Sequence, residues 1–127
     1  MNTKDLFVSS YDINKRLQEK GFNEGCFGVI YPDGEILFGS PDLTDIMIKR
    51  DTSSIKAIMY QQVIDWLRKE RTIDIVFVPP IAWQIQTYNK SIDIITIPIK
   101  DGKTIKEEEN NYYEAINKAI EEALKLI

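Results

Sequence analysis

Histidine is missing from this chain, and cysteine occurs once, at position 26. The first absence removes the side chain that most often moves protons near neutral pH. The second excludes an internal disulfide and leaves no cysteine or histidine cluster for zinc. Cys26 has no histidine anywhere to serve as its base, so it reads as a small buried hydrophobe rather than a nucleophile. No glycine-rich phosphate loop is present. Long apolar runs are also lacking: the stretch from Ile92 to Ile99 is broken by Asp93 and Thr96, far short of the ~20 residues that span a bilayer. Leu6 to Val8 is too short for the apolar core of a secretion signal. No membrane association and a cytoplasmic location are the resulting expectations. Asp42 and Asp45, or Glu107 to Glu109, could offer oxygens to magnesium or calcium, but their spacing fits no EF-hand loop, so neither metal nor cofactor is expected.

What is present describes an ordinary globular chain. Its 127 residues are 43% hydrophobic and 28% charged, which predicts one domain, residues 1 to 127, around one core. The net charge of −4 argues against a surface built for nucleic acid, whose affinity rests on Lys and Arg neutralising phosphates. That charge is uneven, however: residues 1–47 carry −4, residues 48–106 carry +4 and residues 107–127 carry −4. Internal pairing of these segments accounts for the pattern without an acidic partner.

Local signals give a sequence of elements. Ser9 or Ser10, with Asp12 completing a capping pattern, predicts a helix that stops at Gly21, with Phe22 folding back on Leu17. Cys26 to Tyr31 and Glu35 to Phe38 read as a hairpin about Pro32-Asp33-Gly34. Gly39 to Asp51 reads as a polar connection with a short strand at Ile46 to Ile48. Thr52, Ser53 and Ser54 then offer caps to a second helix striped by Ile55, Ile58, Met59, Val63, Trp66 and Leu67. Arg68, Lys69 and Arg71 suit its C-terminal end. Three strands follow, Ile73 to Val78, Ala82 to Tyr88 and Ile92 to Ile99, with Pro79-Pro80 closing the first or placing it at an edge. Asn89-Lys90-Ser91 and Asp101-Gly102 read as turns, and Lys103 to Asn110 as a charged loop. An amphipathic helix from about Asn111 to Ile127 ends the chain. The order α-β-β-α-β-β-β-α predicts an α+β fold, a mainly antiparallel sheet of about five strands with two amphipathic helices on one face and a short N-terminal helix.

Ser10-Tyr11-Asp12-Ile13, Gly21-Phe22, Cys26-Phe27-Gly28, Tyr60-Gln61-Gln62-Val63-Ile64-Asp65-Trp66-Leu67-Arg68, Tyr113-Glu114-Ala115 and Leu126-Ile127 resemble a family of small uncharacterised bacterial proteins, often associated with phages or mobile elements. The Tyr-Gln-Gln-x-x-x-Trp-Leu-Arg segment is its most specific part. This resemblance implies a single α+β domain and supplies no activity or catalytic residue. Lys69-Glu70-Arg71 stands where a Glu-Lys-His-like ending belongs.

Several residues invite a functional reading beside a structural one. Gln62 falls within the apolar stripe and needs hydrogen-bond partners, either strand backbone or a pocket ligand. Tyr60 and Ile64 lie around the helix from that stripe, where they mark a second interface or sit beneath a loop. Trp83 shares a strand face with Ile85, which favours core packing over recognition, while Gln84, Gln86 and Tyr88 form an uncharged polar row on the opposite face. Two principal functions follow. The leading one is a non-catalytic interaction module, joined to a protein partner or to a second copy as a homodimer, through Tyr60, Ile64, Gln84, Gln86 and Tyr88. The alternative is a carboxylate-based, metal-dependent hydrolase, which requires several of Asp42, Asp45, Asp65, Asp74 and Asp93 in one cleft. Nucleic-acid binding by the positive middle segment is a weaker third, which requires Lys49, Arg50, Arg68, Arg71 and Lys90 on one face.

Overall fold

Ser10 caps the first α-helix, α1 (Tyr11–Glu19), accepting a hydrogen bond from the Ile13 N–H. The helix closes as its sequence anticipates. Gly21 takes a positive φ of 108°, its N–H donates to the Gln18 carbonyl, and the Phe22 N–H reaches back to the Leu17 carbonyl at 3.1 Å, a Schellman stop. The structure, a computed structural model, describes residues 3–78, 82–87, 93–100 and 105–127. It divides into two compact units, one ending at Val63 and the other beginning at Ile64. The expected turns at Asn89-Lys90-Ser91 and Asp101-Gly102, and Pro79-Pro80, lie outside the described residues.

In the first unit, β1 (Gly28–Ile30) and β2 (Ile36–Phe38) form the expected hairpin. Gly34 supplies the positive φ of the turn, and Asp33 accepts the Glu35 N–H through Oδ1 at 2.9 Å. Gly28 is required by close approach, because a Cβ there would meet the Leu37 carbonyl oxygen at 2.8 Å. The segment after the hairpin departs from expectation. Residues Ile46 to Ile48 are helical, not extended: they belong to α2 (Pro41–Arg50), which opens on a Ser40 cap with proline in its first turn. Both are strong helix-start signals, and they prevail over the strand propensity of three successive apolar residues. The next expected helix is shorter than its stripe. Ile55 and Lys56 form a strand, β3, that pairs with β1, and the helix α3 (Tyr60–Arg71) begins only after Met59.

The first sheet therefore has the order β2-β1-β3. Phe7, Ile30, Ile36 and Ala57 form its buried cluster, with Tyr11, Ile55 and Met59 packed against them. Fully buried Asn14 ties this unit together, donating to the Val8 and Ser10 carbonyls at 2.9 and 2.8 Å and accepting the Ile58 N–H at 2.8 Å.

In the second unit β4 (Ile73–Val78), β5 (Ala82–Thr87) and β6 (Asp93–Pro98) form an antiparallel sheet in the order β4-β5-β6, so β4, which ends just before Pro79, is an edge strand. Its register places Phe77 opposite Trp83 and Ile75 opposite Ile85, and Ile97 opposite Trp83 on the other side. The last helix, α4 (Ile105–Leu124), packs across all three strands. Its buried residues Ala115, Ile116, Ala119, Ile120, Ala123 and Leu124 recur at the spacing of an amphipathic helix. It starts before the expected Asn111, so most of the segment read as a charged loop is helix. Glu107 stands in its first turn, where the helix dipole favours negative charge.

The fold class is α+β, as expected, but the sheet is not one of about five strands. Six strands form two three-stranded antiparallel sheets among the described residues. One strand of the first sheet is concealed in the sequence, because Ile55 of β3 falls at helical spacing from Ile58 and Met59.

Candidate interaction surface

Of the residues singled out from sequence as an interaction surface, the described ones are buried or half-buried. Tyr60 is only 8% exposed, and Ile64 is half-buried. Gln84 and Gln86 occupy the middle strand of the second sheet, half-buried, with the Gln86 amide donating to Gln84 Oε1 at 3.3 Å. Their neighbours across the strands are Val76 and Thr96 for Gln84, and Asp74 and Ile94 for Gln86. Tyr88 lies outside the described residues. Trp83 is a core residue, 4% exposed and edge-on to Phe77 with ring centroids 5.2 Å apart, with Tyr112 at 5.3 Å.

Gln62 takes the structural role. Its Oε1 accepts the Met59 N–H at 3.1 Å and its amide donates to the Gly25 carbonyl at 3.0 Å, which caps the start of α3 and anchors a loop. Cys26 is buried, and burial pushes its thiol from an ordinary 9.0 up to about 11. Its reduced acidity has a stability consequence. Below pH 9 the thiol is protonated in both the folded and the unfolded chain; as pH rises from 9 towards 11, only the unfolded chain gains by ionising. This part of the stability is therefore lost over that window, by about 2 kcal/mol. Denaturant titrations of wild type and Cys26→Ala at pH 8 and pH 11 should show a smaller loss in the variant; equal losses would contradict the assignment.

The charged sets lie on separate elements. Asp42 and Asp45 lie on α2, Asp65 on α3, Asp74 on β4 and Asp93 at the start of β6, and Asp74 accepts from Arg68 Nε at 2.6 Å. Among the described residues, no three of His, Cys, Asp and Glu come together as a metal-binding group. Of the basic set, Lys49 and Arg50 close α2 while Arg68 and Arg71 close α3, and Lys90 lies outside the described residues. Arg71 sits 5.5 Å over the Trp66 ring, a cation–π contact. No helix of the described residues is long and apolar enough to cross a membrane.

A different surface stands out. Leu6, Phe27, Leu37, Phe38, Leu43 and Ile46, all in the first unit, are between 40% and 49% exposed, and among the described residues only Leu126 joins them as an exposed large hydrophobe. Leu6, Phe27 and Phe38, with Phe7 and Met59, line an open apolar groove of about 600 Å³. Phe38 leans on Phe7 with ring centroids 5.5 Å apart. Single exposed hydrophobes need no explanation, but a cluster of them does. The available signal in the sequence is Ile36-Leu37-Phe38: a strand apolar at three successive positions cannot bury both faces of a hairpin. No family model matches the chain, and neither a curated protein nor a solved structure matches it.

Proposed function

We propose that this chain is a non-catalytic interaction module, acting by self-association in the cytoplasm as part of a phage or mobile element. The observation that carries this reading is the open apolar groove lined by half-exposed Leu6, Phe27 and Phe38, with Leu37 and Leu43 also exposed in the first unit. Leaving such surface in water is unfavourable by roughly 25 cal/mol per Å², and a second molecule that covers it recovers that free energy. The resemblance carried by the Tyr60 to Arg68 segment supports the mobile-element setting. Sedimentation equilibrium of the full chain over a concentration series tests the reading. The expected result is a mass that rises above 14.7 kDa and persists in high salt, since apolar association is not screened. A single species of monomer mass at every concentration would overturn it.

A further inference from the structure

We infer that two copies of this chain join through β2, pairing antiparallel edge to edge so that their first sheets become one six-stranded sheet; the inference rests on the self-association reading and specifies its geometry. The two edges of the first sheet are unlike. On the β3 side, Gln18 Nε2 donates to the Lys56 carbonyl at 3.2 Å, the Ile58 N–H is taken by Asn14, and the Val8 N–H binds the Ile58 carbonyl at 2.9 Å. That edge is sealed. On the far side of β2 no strand pairs among the described residues, and β2 has none of the lysine, proline or bulge that usually guards an exposed edge.

The free edge has a defined hydrogen-bonding pattern. The Tyr31 N–H donates to the Glu35 carbonyl and the Gly39 N–H to the Phe27 carbonyl, both at 2.9 Å. Antiparallel pairs alternate between bonded and non-bonded, so Leu37 bonds with Val29, while Ile36 and Phe38 turn their N–H and C=O groups away from β1. A second β2 related by a two-fold axis through Leu37 meets this pattern. Ile36 of each copy then faces Phe38 of the other as a bonded pair, giving four main-chain hydrogen bonds, and the two Leu37 side chains meet as the central non-bonded pair. Glu35 falls opposite Gly39, so no like charges are opposed.

The apolar rim matches in extent as well. An aromatic side chain presents roughly 200 Å² when fully exposed, so Phe27 and Phe38 alone, at 49% and 46% exposure, leave roughly 190 Å² per copy. Two copies bring together twice this area, and Leu6, Leu37, Leu43 and the β2 main chain add to it towards the ~1,000 Å² at which specific interfaces begin. An isolated strand from another protein would bring no second rim.

The test uses the full chain and three substitutions at exposed positions. Leu37→Lys places like charges face to face across the axis and should weaken dimerisation at least tenfold by sedimentation equilibrium, whereas Leu126→Lys, at an equally exposed leucine of the second unit, should leave it unchanged. Leu37→Cys should cross-link to a disulfide dimer on mild oxidation, because a central non-bonded pair holds its Cα atoms about 4.5 Å apart, and buried Cys26 does not compete. A dimer that tolerates Leu37→Lys and fails to cross-link would overturn edge pairing and leave self-association standing. A wild-type monomer at every concentration would overturn the self-association reading and edge pairing with it.

Discussion

Replacing Asn14 by leucine should destabilise the first unit by about 3 kcal/mol or more, although the two side chains are close in size. The carboxamide stands in for a peptide group: Val8 donates to the Ile58 carbonyl, and where a regular ladder would return the Ile58 N–H to Val8, Asn14 takes that N–H through Oδ1 and gives its own to the Val8 carbonyl. Val8, Asn14 and Ile58 are all fully buried. Leucine would leave a donor and an acceptor unpaired away from water, each at a cost of about 1–3 kcal/mol. Neither Trp66 nor Trp83 lies in this unit, so tryptophan fluorescence does not report on it directly. Hydrogen exchange at the Ile58 amide does, and its protection should fall by at least two orders of magnitude in Asn14→Leu. Unchanged protection would mean that water replaces the carboxamide without loss.

The second large effect lies in the other unit. Trp83→Ala should cost about 3–5 kcal/mol, the usual range for emptying a large aromatic site in a core, because Trp83 is packed between Phe77 and Tyr112 from neighbouring elements and faces Ile97 across β6. Trp83→Phe should cost much less, about 1 kcal/mol. Among the described residues the buried Trp83 Nε1 has no hydrogen-bond partner, so phenylalanine loses apolar contact but also removes a polar group that tryptophan leaves unpaired there. Urea unfolding followed through Trp66, the remaining tryptophan, separates the two variants. Equal costs would show that the indole N–H is contributing a bond that its geometry does not reveal.

These two residues differ in how plainly the sequence announces them. Trp83 was legible: alternation with Ile85 on a β-rich segment puts both on one face, and the three strands of the second sheet fall within a residue or two of their expected limits. The first helix and hairpin were legible for the same kind of reason, since Ser10, Gly21 and Gly34 each impose a local geometry. Asn14 was not, because its role depends on Ile58, far along the chain, and no local rule relates them. The helical α2 is hidden by its own exposure: Thr44 is its one buried residue, its stripe is only Leu43, Ile46 and Met47, and Ile46 to Ile48 imitate a strand. In β3 the opposite happened, because Ile55, Ile58 and Met59 repeat at the period of the helix that follows. The candidate surface was the least legible part. Tyr60, Ile64, Gln84, Gln86 and Tyr88 follow from predicted helix and strand faces, whereas Leu37 and Phe38 stand in a strand at a sheet edge, and which strand lies at an edge is decided by pairing rather than by periodicity.

Thr72 joins α3 to β4 with a φ of +53°, and it is the one non-glycine among the described residues with a positive value. For a β-branched side chain this is an uncommon conformation. The same junction leads into a sheet whose strands pair only with their neighbours in sequence, while β1 cannot meet β3 until β2 and α2 have been laid down between them. Short loops close at little entropic cost and long ones at more. The two sheets therefore differ in the search each must complete: the second can zip between strands adjacent in sequence, and the first waits on a distant segment to arrive.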